Sequence, residues 1–333
     1  MYHGAGAKAV TELFSAATLI TRVTRMHSRR EFLKTGAAAL LCGSQAVSAT
    51  GLLAQDHART KYLGLPLGIQ LYSVRALLPN DYEGTLKQVA ALGFREVEAA
   101  GFYNHSASQV KQAMQQAGLR CVSAHYSFND LQTQFEQTID FAHEIGLSYI
   151  ICPSPGHKNP EQHRSAPRGH APRFTLDEWR WNADQFNKIG EKVHRAGLKF
   201  GYHNHTMAFQ RQNGILPYDE LMRLTDPAYV TMEMDCGWVV VGGGNPVELL
   251  HRYPTRISLL HVKDFKLNGT SRVPGERPVS TALGQGSIDY RPIFAAAAQT
   301  GHIQHCFDEQ EQYDMAPMQE LKINAEYMRK LHA

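Results

Sequence analysis

Ile257-Ser258-Leu259-Leu260-His261-Val262-Lys263-Asp264 is a hydrophobic run that ends in residues able to hold a metal ion, and it is one of four such runs. The others are Phe200-Gly201-Tyr202-His203-Asn204-His205, Val230-Thr231-Met232-Glu233-Met234-Asp235 and Ile303-Gln304-His305-Cys306-Phe307-Asp308-Glu309. A closed barrel of alternating strands and helices sets the carboxyl ends of its strands around one central hole, so late-strand His, Asp and Glu converge there. Imidazole and carboxylate together suit Mn²⁺, Zn²⁺, Fe²⁺ or Co²⁺. One such strand means little. Four in succession predict a metal-centred (β/α)8 barrel.

The surrounding chain keeps the same rhythm from residue 65 onward. Candidate strands fall at 67–72, 96–99, 120–125, 148–152, 199–203, 230–235, 257–263 and 303–308. Candidate helices fall at 82–92, 108–117, 131–145, 176–196, 218–224, 246–252, 290–299 and 315–331. Gly93, Gly118, Gly146 and Gly197 each stand between a helix and an apolar residue, the pattern of a C-cap feeding a buried strand. Eight strand–helix units without an interposed all-α or all-β block predict one α/β domain, a TIM barrel spanning 65–333. The competing fold, a doubly wound open sheet, often carries a glycine-rich phosphate loop after its first strand, and this chain has none there. Two connections, 153–174 and 266–289, are long and follow strands, so they are expected to cover the catalytic face. His157, His163 and His170 in the first are irregularly spaced in a polar stretch and are expected in solvent.

The segment before residue 65 reads as an address. Ser28-Arg29-Arg30-Glu31-Phe32-Leu33-Lys34 has the form of a twin-arginine export signal, with a weakly apolar run from Thr35 to Gly43 and a small-residue cleavage site at Val47-Ser48-Ala49. The apolar run is far short of the roughly 20 residues that span a bilayer, so no stable membrane anchor is expected. Residues 1–49 are thus expected to be a signal region, 50–64 a linker, and the destination periplasmic. Residues 1–49 hold six of the 34 Lys and Arg and two of the 31 Asp and Glu; the remainder has 28 bases and 29 acids, a net charge of −1. A near-neutral body carries no gross electrostatic footprint for nucleic acid. Cys121, Cys152, Cys236 and Cys306 show no CxxC spacing and are expected as buried free thiols.

Three stretches carry a family resemblance: Tyr202-His203-Asn204-His205, Met234-Asp235-Cys236-Gly237-Trp238 and Leu260-His261-Val262-Lys263-Asp264. They resemble the xylose isomerase-like barrel superfamily, which holds sugar isomerases and epimerases, inosose dehydratases, hydroxypyruvate isomerases and endonuclease IV. Its exported "sugar phosphate isomerase/epimerase" branch is the nearest match. Gln70-Leu71-Tyr72-Ser73-Val74-Arg75 and Leu283-Gly284-Gln285-Gly286 match that branch as well, and the resemblance runs from about residue 66 to the C terminus. In such epimerases Glu, Asp, His and Glu on the fifth to eighth strands hold the ion. Carried over, the positions are His203, Asp235, His261 and Glu309, with His205 the competing ligand if the strand register differs by one pleat. The first is a departure, because the pattern has glutamate where this chain has His203. Many relatives also carry a further acid where this chain has Ala208. The resemblance implies one divalent ion, Mn²⁺ first, with Zn²⁺, Co²⁺ and Fe²⁺ as alternatives.

Epimerisation through an enediolate needs two acid/base groups on opposite faces, with a metal stabilising the enolate oxygens. Elimination from a keto-sugar needs a base at the acidic carbon and an acid at the leaving group, and histidine in place of a carboxylate suits it at least as well. Glu309 is the expected base, Lys263 the group that orients or protonates a substrate oxygen, and His203 or His205 the second acid/base. Gln70, Glu98 and His125 on the first three strands are candidate substrate contacts, and Trp238 can stack on a sugar's C–H face. Bland alternatives stand beside these. Asp235 can start a loop, Lys263 can simply pair with Asp264, Asp308 and Glu311 rival Glu309, and Glu98 and His125 can be structural. The expected function is a metal-dependent sugar or keto-sugar isomerase/epimerase, with a keto-sugar lyase as runner-up. An endonuclease IV-like phosphodiesterase would want a basic face, and a non-catalytic sugar-binding barrel would not need the ligand set. A homo-oligomer is compatible with the sequence.

Overall fold

The computed structural model describes residues 63–159, 174–267 and 278–331. The twin-arginine segment, the proposed cleavage site, His163 and His170 lie outside the described residues. Eight parallel strands close into a barrel: β1 (Gly68–Gln70), β2 (Glu96–Ala99), β3 (Arg120–His125), β4 (Tyr149–Cys152), β5 (Lys199–His203), β6 (Val230–Asp235), β7 (Ile257–Val262) and β10 (His305–Asp308). β1 closes the ring by pairing with both β2 and β10. An antiparallel two-stranded ribbon, β8 (Asp264–Lys266) and β9 (Val279–Thr281), stands between β7 and β10 in the chain. The helices are α1 (Tyr82–Ala91), α2 (Ala107–Ala117), α3 (Phe128–Thr133), α4 (Phe135–Ile145), α5 (Leu176–Arg195), α6 (Pro217–Leu224), α7 (Cys236–Val241), α8 (Pro246–Arg252), α9 (Tyr290–Thr300) and α10 (Pro317–Lys330). Among the described residues no helix is long and apolar enough to cross a membrane.

Local chemistry explains where elements start and stop. Ser106 and Thr175 close capping boxes with Gln109 and Glu178, so α2 and α5 begin where their first orphan N–H groups are satisfied. Gly118 and Gly146 end α2 and α4 with positive φ, the left-handed conformation that glycine adopts without strain. The expected single helix over 131–145 is two, because the chain breaks at Gln134, whose backbone leaves the helical region. The expected first strand stops at Gln70: its side chain accepts the Tyr72 N–H and turns Leu71–Val74 into a 3-10 helix. Asp235 caps the unforeseen α7 by accepting the Trp238 N–H at 2.7 Å. His157 is half-buried rather than in solvent, its ring stacked on Phe174 at 4.3 Å and 3.6 Å from Glu178.

Most of the apolar core lies between the strands and the helices around them, with Trp179, Phe186, Phe200 and Tyr202 fully buried within it. Inside the barrel Val122, Tyr149, Ile151, Leu259 and Phe307 form a separate plug. Such a plug makes the interior a packed layer that supports a site from one side only. At the amino end of the strands Glu96 pairs with Arg120 and with His305 (2.7 Å). Cys121, Cys152, Cys236 and Cys306 are free and buried, and burial pushes the first two thiols up to about 12. Asp264 accepts the backbone N–H groups of Phe265, Gly284, Gly286 and Ile288 at 2.9–3.1 Å, tying the segment after β9 to the end of β7. It forms no plain ion pair with Lys263, whose partners lie elsewhere.

Candidate metal centre

Side chains two residues apart on a strand face the same way, so each barrel strand sends alternate residues inward. On β5 and just past it these are His203 and His205; on β6, Glu233 and Asp235; on β7 and just past it, His261 and Lys263. Parallel registry puts His203 opposite Glu233 and Asp235 opposite His261. Glu309 follows β10, its N–H donating to the Val262 carbonyl. The Asn204 amide donates to the Asp235 carbonyl and accepts the Asp235 N–H, both at 3.2 Å, continuing the β5–β6 ladder through a side chain.

His203, Asp235, His261 and Glu309 are buried, and one ligand atom from each lies within 4.8 Å of the others. His203 Nε2 is 3.9 Å from Asp235 Oδ2, and His261 Nδ1 is 2.9 Å from Glu309 Oε2. Asp235 Oδ2 is buried and accepts no hydrogen bond, while its partner Oδ1 is spent on the α7 cap. A desolvated carboxylate oxygen left unsatisfied is costly unless a cation faces it. Two imidazoles and two carboxylates converging on one point, one of them with an oxygen that accepts no hydrogen bond and has the Lys263 ammonium 3.3 Å away, fit a divalent ion.

Lys263 reaches into the same place. Its ammonium is 2.9 Å from Glu309 Oε2, 2.8 Å from Glu311 Oε1 and 3.3 Å from Asp235 Oδ2. Its backbone is pinned by Tyr290, whose hydroxyl donates to the Lys263 carbonyl and accepts the Lys263 N–H, both at 2.7 Å. Burial opposes the Lys263 charge, but Asp235, Glu309 and Glu311 raise its pKa and keep it an ammonium. Burial alone would raise Glu309, yet Lys263 and His261 hold it well below the usual carboxylate range. Burial lifts Asp235 to about 6 despite Lys263. Burial and the neighbouring cationic groups keep His203 neutral, and burial with Lys263 pushes His205 down to about 4. Neutral imidazole is the ligand form.

A second polar layer lies one pleat deeper. Glu98 and Glu233 are fully buried; His125 Nε2 is 2.8 Å from Glu98 Oε1 and 2.9 Å from Glu233 Oε2. Glu98 is also held by the Gln70 amide (2.7 Å) and by the Ser123 hydroxyl. Gln70 and Glu98 are fully buried in the floor of the site, whereas the His125 side chain keeps 13% exposure. Trp238 is half-buried beside it, 5.0 Å from the Lys263 ammonium and 5.9 Å from the His205 ring, and neither Trp238 Nε1 nor His205 Nδ1 has a hydrogen-bond partner. The structure brings the expected ligands, acid/base groups and substrate contacts together with Glu311, one of the two rivals of Glu309, and adds Glu233, Asn204 and Tyr290. Asp308, the other rival, turns away to Asn324. Of the additions, Glu233 was signalled by its period-two spacing from Asp235.

Residues 86–331 match the xylose isomerase-like TIM barrel family, and the chain belongs to that family. An inosose dehydratase of Clostridium botulinum is 29% identical over 240 residues, covering 67% of this chain and 80% of the relative. An inosose dehydratase of Clostridium beijerinckii is 28% identical over 232 residues, covering 65% and 77%. Among solved structures, a sugar phosphate isomerase/epimerase from Parabacteroides distasonis superposes with a TM-score of 0.63 at 26% identity, covering 79% of this chain and 97% of that one.

Proposed function

We propose that this chain is a divalent-metal-dependent enzyme that removes the proton beside the carbonyl of a keto-sugar or keto-polyol and expels a neighbouring hydroxyl as water. The observation that carries the reading is the side-by-side pair of Glu309 and Lys263, 2.9 Å apart, next to the ligand set. Elimination needs a base and an acid within reach of adjacent carbons; epimerisation needs two bases on opposite faces. Across from Glu309 the site offers the neutral imidazole of His203, not a second carboxylate. The inosose dehydratase relatives support the same choice.

His203, Asp235, His261 and Glu309 would hold the ion, which when bound supplies a Lewis acid that draws charge from the substrate's carbonyl and makes the adjacent proton acidic. Glu309 Oε2 is engaged with His261 and Lys263, which leaves Oε1 to accept the C–H proton. The Lys263 ammonium protonates the departing hydroxyl, and a proton passes back from Glu309 to Lys263 across 2.9 Å. Each turnover thus releases one water and leaves both groups as they began. His205 and the Trp238 indole, with their unpartnered ring nitrogens, hydrogen-bond the substrate's other hydroxyls, and the indole face covers its C–H face.

Incubating the metal-loaded protein in D₂O with inososes, free ketoses and 3-keto-glycosides tests this. Water loss with a rising conjugated-ketone absorbance, abolished in Glu309→Gln, is the expected result. Deuterium uptake at the carbon beside the carbonyl without water loss supports the second reading, isomerisation or epimerisation, favoured by the likeness to the Parabacteroides distasonis protein. Neither exchange nor water loss with any of these overturns both. We also infer export to the periplasm from the twin-arginine motif, which a reporter fusion to residues 1–49 checks.

A further inference from the structure

Two candidate ligand sets share both histidines: His203, Asp235, His261 and Glu309, and one pleat deeper His125, His203, Glu233 and His261. A neutral imidazole has one in-plane lone pair to give, and its other nitrogen carries a proton. His203 and His261 can therefore serve one ion at a time, and the two sets exclude each other. The nitrogens are already sorted. His203 turns Nε2 toward Asp235 and sets Nδ1 2.9 Å from Glu233 Oε2. His261 does the reverse, with Nδ1 toward Glu309 and Nε2 2.8 Å from Glu98 Oε1 and 3.2 Å from Glu233 Oε2.

We propose that Glu98 and Glu233 are positioning residues of the metal centre: they take the N–H of His203 Nδ1 and His261 Nε2, and so fix Nε2 of the first and Nδ1 of the second as the ligand nitrogens. The inference rests on the metal reading above. Both glutamates are fully buried, and Glu233 stands one pleat below Asp235 on β6. The backbone is shaped around both. Strand register shifts between Val97 and Glu98 in the β2–β3 pair, and between Met232 and Glu233 in the β6–β7 pair. A shift of this kind re-aims the side chain beside it. Glu98 is itself anchored by Gln70 and Ser123, so the acceptor is fixed before any ion arrives. An anionic acceptor on the far nitrogen makes the near one a stronger ligand, and its loss typically weakens metal binding by about 10–100-fold.

The test uses the full chain, stripped of metal and titrated with Zn²⁺ or Co²⁺ against a chromophoric chelator. Long-range ¹H–¹⁵N spectra of the Zn²⁺-loaded, histidine-labelled protein report which ring nitrogen is bound. The wild type is expected to take one ion per chain through His203 Nε2 and His261 Nδ1. Glu233→Gln is expected to bind the ion about 10–100-fold more weakly and to shift the visible Co²⁺ bands. Glu98→Gln is expected to do so through His261 alone, with thermal unfolding of the metal-free chain as the control for folding. Should Glu233→Gln fail to fold, Glu98→Gln and the wild-type spectra decide. Unchanged affinity and Co²⁺ bands in the variants, or binding through the opposite nitrogens, overturn this inference alone. A wild type that takes two ions, losing one in the variants, overturns it by making the glutamates ligands. A wild type that binds no divalent ion overturns the functional reading with it.

Discussion

The Lys263 ammonium and the Glu309 carboxylate meet at 2.9 Å on Oε2, the oxygen that His261 Nδ1 also approaches at 2.9 Å. The ammonium and a divalent ion held by this ligand set would thus draw on the same carboxylates, Glu309 and Asp235. Lys263→Met removes a positive charge from beside the ion. Metal affinity is expected to hold or to rise by up to about tenfold, roughly 1.4 kcal/mol. Turnover is expected to fall by about 10²–10⁴, the usual contribution of a positioned acid. Calorimetric titration and steady-state kinetics on one preparation check both, and weaker metal binding would count against competition.

Asp264 satisfies four backbone N–H groups with one carboxylate, and Gly286 approaches it so closely that a Cβ there would collide with the side chain. Asp264→Ala orphans these donors and is expected to cost about 3 kcal/mol, read from the urea midpoint. Gly286→Ala is expected to destabilise in the same direction without any change of charge.

Glu220 is held at about 2, below its ordinary 4.5, by hydrogen bonds from Arg223 and Arg180. Between those values the unfolded chain binds a proton that the folded chain does not, so stability rises with pH there. The contribution is complete above 4.5 and is lost as pH falls from 4.5 toward 2. Solvent on both guanidiniums limits it to about 1 kcal/mol. Glu220→Gln is expected to lower stability at neutral pH by that amount and to flatten the acid limb of the pH–stability curve; an unchanged acid limb would refute the assignment.

Gly190 lies in the middle of α5, where alanine would ordinarily gain about 1 kcal/mol of helix propensity. A Cβ there would stand 2.5 Å from the Tyr229 carbonyl, and backbone does not yield cheaply. Overpacking of this kind costs about 1–3 kcal/mol. Gly190→Ala is therefore expected to lower Tm despite the better helix former, and a raised Tm would show that the helix can slide away.

That His203, Asp235, His261 and Glu309 would meet was legible because strand ends converge: four hydrophobic runs finishing in His, Asp or Glu can meet in few places other than a barrel mouth. Strands β2, β3, β5 and β6 match the sequence reading residue for residue, and Gly93, Gly118 and Gly197 mark the starts of the first three. Other features carried weaker signals. Gln134 breaks a helix with neither proline nor glycine to announce it. The run Val239-Val240-Val241 favours strand, yet the Asp235 cap turns it into helix. Glu233 sits on the same pleat face as Asp235, but a carboxylate between two methionines does not say that it faces a barrel interior. That Lys263 turns away from its neighbour Asp264 toward three other acids depends on contacts 28 to 48 residues distant in sequence.

The four cysteines among the described residues are spread around the wall: one on β3, one on β4, one at the start of α7 and one on β10. Each sulfur is sealed from water, so an alkylating reagent finds no target until the staves of the cylinder part. The native sequence thus carries its own probes of breathing, one for each of four sectors, and the order in which they are modified would map where the ring first comes undone.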